Sequence, residues 1–308
     1  QAGHFGSAFS ASVKGLKAVY LCMPSQFDHA MNAEMSRSRH IVFSHANSFP
    51  AGTYEHLFEQ WRAAGYTVHA VERFGHNPRY PVTRDWPHLV TQLHDFVRDE
   101  VGEPAVLIGH SLGGFLSMML AHRHPQWAQG VIVLDSPLLT GIKAAGIGLA
   151  KNLGRMQNVM PSGVAIQRKH EWPSVEAART HFEIKDKFAA FHPRVLSDYL
   201  THGLAARPDQ TTVTLTFRRE VEAHIYNTMP HRLAHEFRRK AFRCPIAFIG
   251  GRQSMELRKV GLGGTRQLFG SQMSWIEGTH LYPFEQPELT AQEVLKWLQQ
   301  FSQHRQAA

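Results

Sequence analysis

Ser111 lies in the run Gly109-His110-Ser111-Leu112-Gly113, and the glycines two residues to either side suit this serine to chemistry. An apolar run precedes it and an amphipathic one follows, so it falls on a strand-to-helix turn. Small neighbours allow the sharply turned backbone that lifts its Oγ clear of the sheet. The first amides of the helix, that of Leu112 foremost, then face any oxyanion formed there. A serine hydroxyl is a poor nucleophile at neutral pH, so an imidazole must take its proton and later return it to the leaving group. The chain has 21 histidines from which to draw one. Its two cysteines, Cys22 and Cys244, form neither a disulfide framework nor a metal-ligand cluster. The chemistry indicated is acyl transfer through serine, with no cofactor and no metal.

The elements that would hold this serine are legible around it. Residues 105–108 read as a buried strand and 112–124 as a helix. Further β-rich runs at 41–44, 67–71, 131–134, 246–249 and 273–276 alternate with helical stretches at 54–64, 86–101 and 288–301. Alternation of that kind predicts an α/β fold, a mostly parallel central sheet flanked by helices. From Pro137 to Arg243 the rhythm stops: 107 residues pass with little strand pattern except at 211–217, and with helical stretches such as 174–182 and 232–240. This segment reads as a mainly helical cap (lid) inserted between core strands, over the strand ends where such sheets bind ligands. The core is then 39–136 with 244–308. Residues 1–38 read as a lead-in, partly disordered or an appended remnant; the first dozen are small and polar and lack an initiating Met.

With these elements placed, the chain resembles the α/β-hydrolase superfamily over residues 39–301. Four blocks carry the likeness: Phe43-Ser44-His45-Ala46-Asn47; Gly109-His110-Ser111-Leu112-Gly113-Gly114; Leu134-Asp135-Ser136-Pro137; and Glu277-Gly278-Thr279-His280 with Glu285-Gln286-Pro287-Glu288 behind it. The resemblance implies a serine hydrolase that cleaves a carboxylic ester or thioester through an acyl-enzyme, with Ser111 as nucleophile. His280 follows the last strand, in the chain order this superfamily uses for its catalytic base. His110 and His45 then read as structural, and residues 73–80 as scaffold near the site. An oxyanion hole is implied from the amides of Leu112 and Asn47. Relatives often carry a His-Gly-x turn at the latter place, and Ala46 narrows the backbone geometry available here.

The acid departs from the usual pattern. Most relatives place an Asp in the turn after the strand that follows the cap, and Gln253 stands there in Ile249-Gly250-Gly251-Arg252-Gln253-Ser254-Met255-Glu256. Gln cannot stabilise an imidazolium by charge. Asp135 is the preferred candidate, at a position from which certain haloalkane dehalogenases and pancreatic-type lipases supply their carboxylate; Glu256 is the alternative. A serine at the elbow argues against the aspartate-nucleophile chemistry of haloalkane dehalogenases and epoxide hydrolases. C–C bond hydrolysis or a cofactor-free lyase reaction stays open as a second class, and a non-catalytic binding protein with a relict elbow as a third.

Charge distinguishes the insertion from the core. Lys and Arg outnumber Asp and Glu by 17 to 9 in residues 137–243 and balance at 16 to 16 elsewhere, so the whole excess of +8 lies in the insertion. Such a surface suits an acidic partner: a substrate on acyl carrier protein or coenzyme A, or an anionic lipid surface. Nucleic acid is not expected, since the basic residues are mixed with acids and no recognition motif appears. No apolar run is long enough to span a bilayer, and the expectation is a cytoplasmic protein. Apolar residues of the insertion such as Ile142, Leu149, Met156, Trp172, Phe188 and Leu196 are expected to pack it onto the core or to line an acyl pocket.

Overall fold

Nine strands occur in the computed structural model, which describes residues 39–207 and 212–307. The lead-in 1–38 and the first residue of the run 211–217 lie outside the described residues. In chain order, β1 (His40–Ser44), β2 (Thr67–Ala70), β3 (Ala105–His110) and β4 (Ala128–Leu134) precede the insertion. β5 (Glu171–Trp172), β6 (Leu204–Ala206) and β7 (Val213–Leu215) lie within it, and β8 (Ile246–Gly251) and β9 (Met273–Ile276) follow. The six core strands form one parallel sheet in the order β2-β1-β3-β4-β8-β9.

Central strands of a parallel sheet are covered on both faces, which is why they read as unbroken apolar runs. Every residue of β3 is buried. Alternate residues serve two separate cores. Ile41, Phe43, Ile108, Ile132 and Ile249 pack with Trp61 and Phe301 from the helices Glu55–Ala63 and Pro287–Ala307. Val42, Leu107, Val131, Val133 and Phe248 pack on the other face with Leu93, Leu116 and Phe269. The helix Leu112–Arg123 is buried from Leu112 to Ala121 without interruption. It lies between the sheet and the helix Pro87–Phe96, and this fixes the serine at its start.

Two helical expectations change in detail. The stretch 86–101 becomes an α-helix Pro87–Phe96 running into a wider π-helical turn, Val97–Val101. Trp86 stands outside it at φ 58°, in the left-handed region that Asp85 before it also adopts at φ 62°. Two short helices that the pattern did not mark, Met255–Val260 and Gly263–Phe269, fill the span between β8 and β9.

Between β4 and β8 the chain is largely helical, with a small antiparallel sheet in the order β5-β7-β6. Trp172, Phe182, Phe188 and Tyr199 from this segment are buried in the same cluster as Phe49 and Phe284 of the core. Ile142 and Leu149 contradict the expectation that they pack inward or line a pocket, because both are exposed to solvent. Among the described residues no helix is long and apolar enough to cross a membrane.

Candidate active site

Ser111 is held at φ 53°, ψ −113°, a left-handed-side backbone conformation that L-residues avoid. Its N–H donates to the Leu134 carbonyl at 2.9 Å, and its own carbonyl accepts from Ser136 Oγ at 2.7 Å. The glycine at 113 is required by space: a Cβ there would lie 1.9 Å from the Ser44 carbonyl oxygen. The β1 turn and the first turn of the helix therefore meet at contact distance.

His280 reaches the serine from the loop after β9. Its Nε2 lies 2.9 Å from Ser111 Oγ, and its Nδ1 lies 2.6 Å from Asp135 Oδ2. A carboxylate only accepts, so Nδ1–H donates to Asp135, and the unprotonated Nε2 is left to accept from the serine hydroxyl. Asp135 is completely buried, at φ 52° on the turn after β4. Oδ1 accepts the Gly251 N–H at 2.8 Å and Oδ2 accepts the Ser254 hydroxyl at 2.6 Å. Two donors besides the imidazole thus compensate the desolvation of its charge. Glu256 is half-exposed and its Oε2 is 3.9 Å from His280 Nδ1, outside hydrogen-bond reach.

Gln253, at the usual acid position, clasps the loop that carries the histidine. Its Oε1 accepts the Gly278 N–H, its own N–H donates to the Gly278 carbonyl at 2.9 Å, and its Nε2 donates to Glu277 at 2.7 Å. Glu285 holds the next residue, accepting the Thr279 N–H at 2.8 Å and the Thr279 hydroxyl.

A buried relay joins this loop to the turn after β1. His110 Nε2–H donates to the His280 carbonyl at 2.8 Å, so its Nδ1 accepts the Tyr54 hydroxyl, also at 2.8 Å. The Tyr54 oxygen in turn accepts the Ala46 N–H at 3.1 Å. Burial pushes the His110 pKa well below the ordinary value, with the nearby His280 adding to it, and burial raises Tyr54 well above the phenol range. His45 is likewise neutral. Its Nδ1–H donates to the Ala46 carbonyl at 2.8 Å, its Nε2 accepts the Phe74 N–H at 3.0 Å, and burial lowers its pKa to about 4.

Asn47 and Leu112 leave adjacent strands at the same end, since β1 pairs with β3 with Ser44 opposite Gly109. Leu112 is the first residue of its helix, so its N–H has no intrahelical acceptor. The Asn47 side chain donates to the Glu222 carbonyl at 3.1 Å. Ser48, at φ 81°, donates its hydroxyl to Glu222 Oε1, and Arg168 pairs with the other carboxylate oxygen at 3.0 Å. Arg168 and Glu222 belong to the insertion, and no sequence feature distinguishes them, Ser254 or Tyr54 as parts of the site. Neither a motif nor a spacing marks them, because each acts across a tertiary contact.

Two groups of His and carboxylate side chains among the described residues bring potential ligand atoms within 4.8 Å of one another. One is Asp135, Glu256 and His280, where both imidazole nitrogens are already engaged by Asp135 and Ser111. In the other, His56 Nε2 donates to Glu288 at 2.7 Å, and His192 Nδ1 accepts the Arg194 N–H at 3.3 Å. The geometry at Ser111 suits acyl transfer: a serine hydroxyl, an imidazole in contact with it, a buried carboxylate behind the imidazole, and a helix that begins at the next residue.

A model of the alpha/beta hydrolase family matches residues 41–293. The chain is similar to a monoacylglycerol lipase of Mycolicibacterium smegmatis, 27% identical over 131 residues that cover 39% of this chain and 46% of the relative. It is also similar to a pyrethroid hydrolase of Sphingobium wenxiniae, 31% identical over 101 residues that cover 32% and 36% of the two chains. The chain thus spans less than half the length of these curated relatives. Among solved structures, E-2-(acetamidomethylene)succinate hydrolase aligns at a TM-score of 0.66 and 16% identity, over 84% of this chain and 91% of that one, a likeness of fold alone.

Proposed function

The chain belongs to the alpha/beta hydrolase family, and from that premise we propose that it is a serine hydrolase cleaving a carboxylic ester or thioester through an acyl-enzyme. The observation that carries this reading is the unbroken run from Ser111 Oγ to His280 Nε2 at 2.9 Å and from His280 Nδ1 to Asp135 at 2.6 Å. Ser111 attacks the carbonyl carbon as its proton passes to His280 Nε2. The imidazolium is then balanced by Asp135, and the oxyanion is held by the amides of Leu112 and Asn47. Collapse of the tetrahedral intermediate breaks the bond to the alcohol or thiol, which takes the proton from Nε2. Water enters by the same route in reverse and releases the acid. No cofactor and no metal take part in this scheme.

Residues 137–243 serve in it as the cap and 39–136 with 244–308 as the core. The bonds between Glu222, itself paired with Arg168, and the Asn47-Ser48 turn favour that division. The basic surplus of the insertion, 17 against 9, favours a substrate presented on something acidic, whether a carrier such as acyl carrier protein or coenzyme A, or an anionic surface.

The test is labelling with a fluorophosphonate probe beside turnover of short p-nitrophenyl esters and thioesters. Wild-type protein is expected to label and turn over, and Ser111→Ala to do neither. Unlabelled, inactive wild-type protein would sink the reading. Labelling that persists in Ser111→Ala would move the nucleophile elsewhere.

A further inference from the structure

An ordinary surface helix turns its apolar stripe inward; the helix Gly141–Asn152 does the opposite. Ile142 is 92% exposed, Leu149 60%, and Leu153 just beyond the helix 58%. These positions are seven and four residues apart, so they share one face. Lys151 points the other way, its side chain 5% exposed and paired with Asp85 at 2.5 Å. Val159 and Val164, on the following turn and helix, are also exposed, at 52% and 73%.

Charge on this stretch has one sign. Between Asp135 and Glu171 the chain carries five cations and not one Asp or Glu; Lys151 and Arg168 are paired with Asp85 and Glu222, and Lys143, Arg155 and Lys169 are exposed. The patch also reaches the reacting centre. Lys143 Nζ donates to the carbonyls of Lys259 at 2.5 Å and Val260 at 3.1 Å, which seats the start of the helix on the segment Met255–Val260. In that segment Met255 is half-exposed, and its neighbour Glu256 stands 3.9 Å from His280.

We propose that this face docks on an anionic lipid surface, and that the substrate is an amphiphilic ester drawn from it. Exposed aliphatic side chains beside the exposed cations Lys143, Arg155 and Lys169 match the acyl and headgroup layers of such a surface together. A second copy of the chain matches them poorly, because a two-fold interface would set this cationic stretch against itself. Docking stands on the surface alone; the statement about substrate rests on the serine-hydrolase reading above.

Flotation of the full chain with vesicles tests docking. The protein is expected to float with phosphatidylcholine vesicles containing phosphatidylglycerol, and less with phosphatidylcholine alone or at high salt. Ile142→Asp/Leu149→Asp should cut the bound fraction by about tenfold or more, while fluorophosphonate labelling and turnover of a water-soluble short ester persist. On esters embedded in the vesicles the same variant should lose activity in proportion to binding. Absence of flotation with the anionic vesicles, or equal flotation of the variant, overturns the proposal. So does lipid-independent self-association that the variant abolishes, or capture of acyl carrier protein in preference to vesicles. Failure of the wild type on the soluble ester would sink the hydrolase reading and leave docking to be judged by flotation.

Discussion

The turns that leave β4 and β8 run side by side, since the strands pair in parallel with Leu134 opposite Ile249, yet they present opposite chemistry. The first carries Asp135, fully buried and in contact with His280 Nδ1; the second carries Gln253, exposed and bonded to the backbone of Gly278. Both turns open at the same end of the sheet, so either can deliver a side chain to the loop after β9. Where the β4 turn brings the carboxylate, the β8 turn is left to hold the loop. It also serves the neighbouring turn, because Gly251 and Ser254 donate to Asp135. Two turns make one support for the histidine.

The largest effect should come from breaking the β4 side. Asp135→Asn keeps the shape and removes the charge, and kcat is expected to fall by about 10⁴, the scale of triad acids. Circular dichroism and fluorophosphonate labelling at long times would show that fold and serine remain. A much smaller loss would mean that the Asp135 charge is not what supports the imidazolium.

Moving the acid would sharpen it. Placing Gln253→Asp in the Asp135→Asn background puts a carboxylate on the other turn. A gain of about tenfold over Asp135→Asn alone, roughly 1.4 kcal/mol of barrier, is expected from steady-state kinetics. No gain at all would mean that the β8 turn is committed to its clasp on Gly278.

A third turn at the same sheet end, after β1, sets a stability effect against these. His45 is fully buried and its pKa is lowered to about 4 from an ordinary 6.5. The unfolded chain takes up this proton near the ordinary value and the folded chain does not, so the stability it contributes is complete above that value and is lost as pH falls toward about 4. The loss amounts to roughly 3 kcal/mol. Urea unfolding at neutral pH and near the lower value should show it, and His45→Ala, less stable throughout, should show a shallower slope.

Least is expected of Glu256→Gln. At 3.9 Å and half-exposed, the carboxylate interacts with His280 only through solvent-screened charge, and turnover should change by no more than about twofold. A drop comparable with Asp135→Asn would reverse the assignment of the acid.

The legible parts of this protein are those with a local cause. Six core strands were readable because runs such as Val106 to Ile108 are apolar on both faces, and the Ser111 turn because its glycines sit at fixed offsets. The insertion was readable as an interruption, but its small antiparallel sheet was not, since β5 has two residues and β6 three, too few for a period. Chain order points to His280, which the fold sets beside Ser111, whereas Ser254, Tyr54, Arg168 and Glu222 carry no local mark.

By itself, then, the sequence determined the sheet, the strained serine turn and the absence of a carboxylate at position 253, since each follows from side-chain type and period over a few residues. Tertiary structure alone brought Asp135 rather than Glu256 within hydrogen-bond reach of His280 Nδ1. That choice depends on bringing together residues 145 positions apart, and β-strand pairing sets that distance where no local pattern can. It also decided which way the helix Gly141–Asn152 faces. A helical period shows that Ile142, Leu149 and Leu153 share a side, but only the packing of the rest of the chain makes that side the outside.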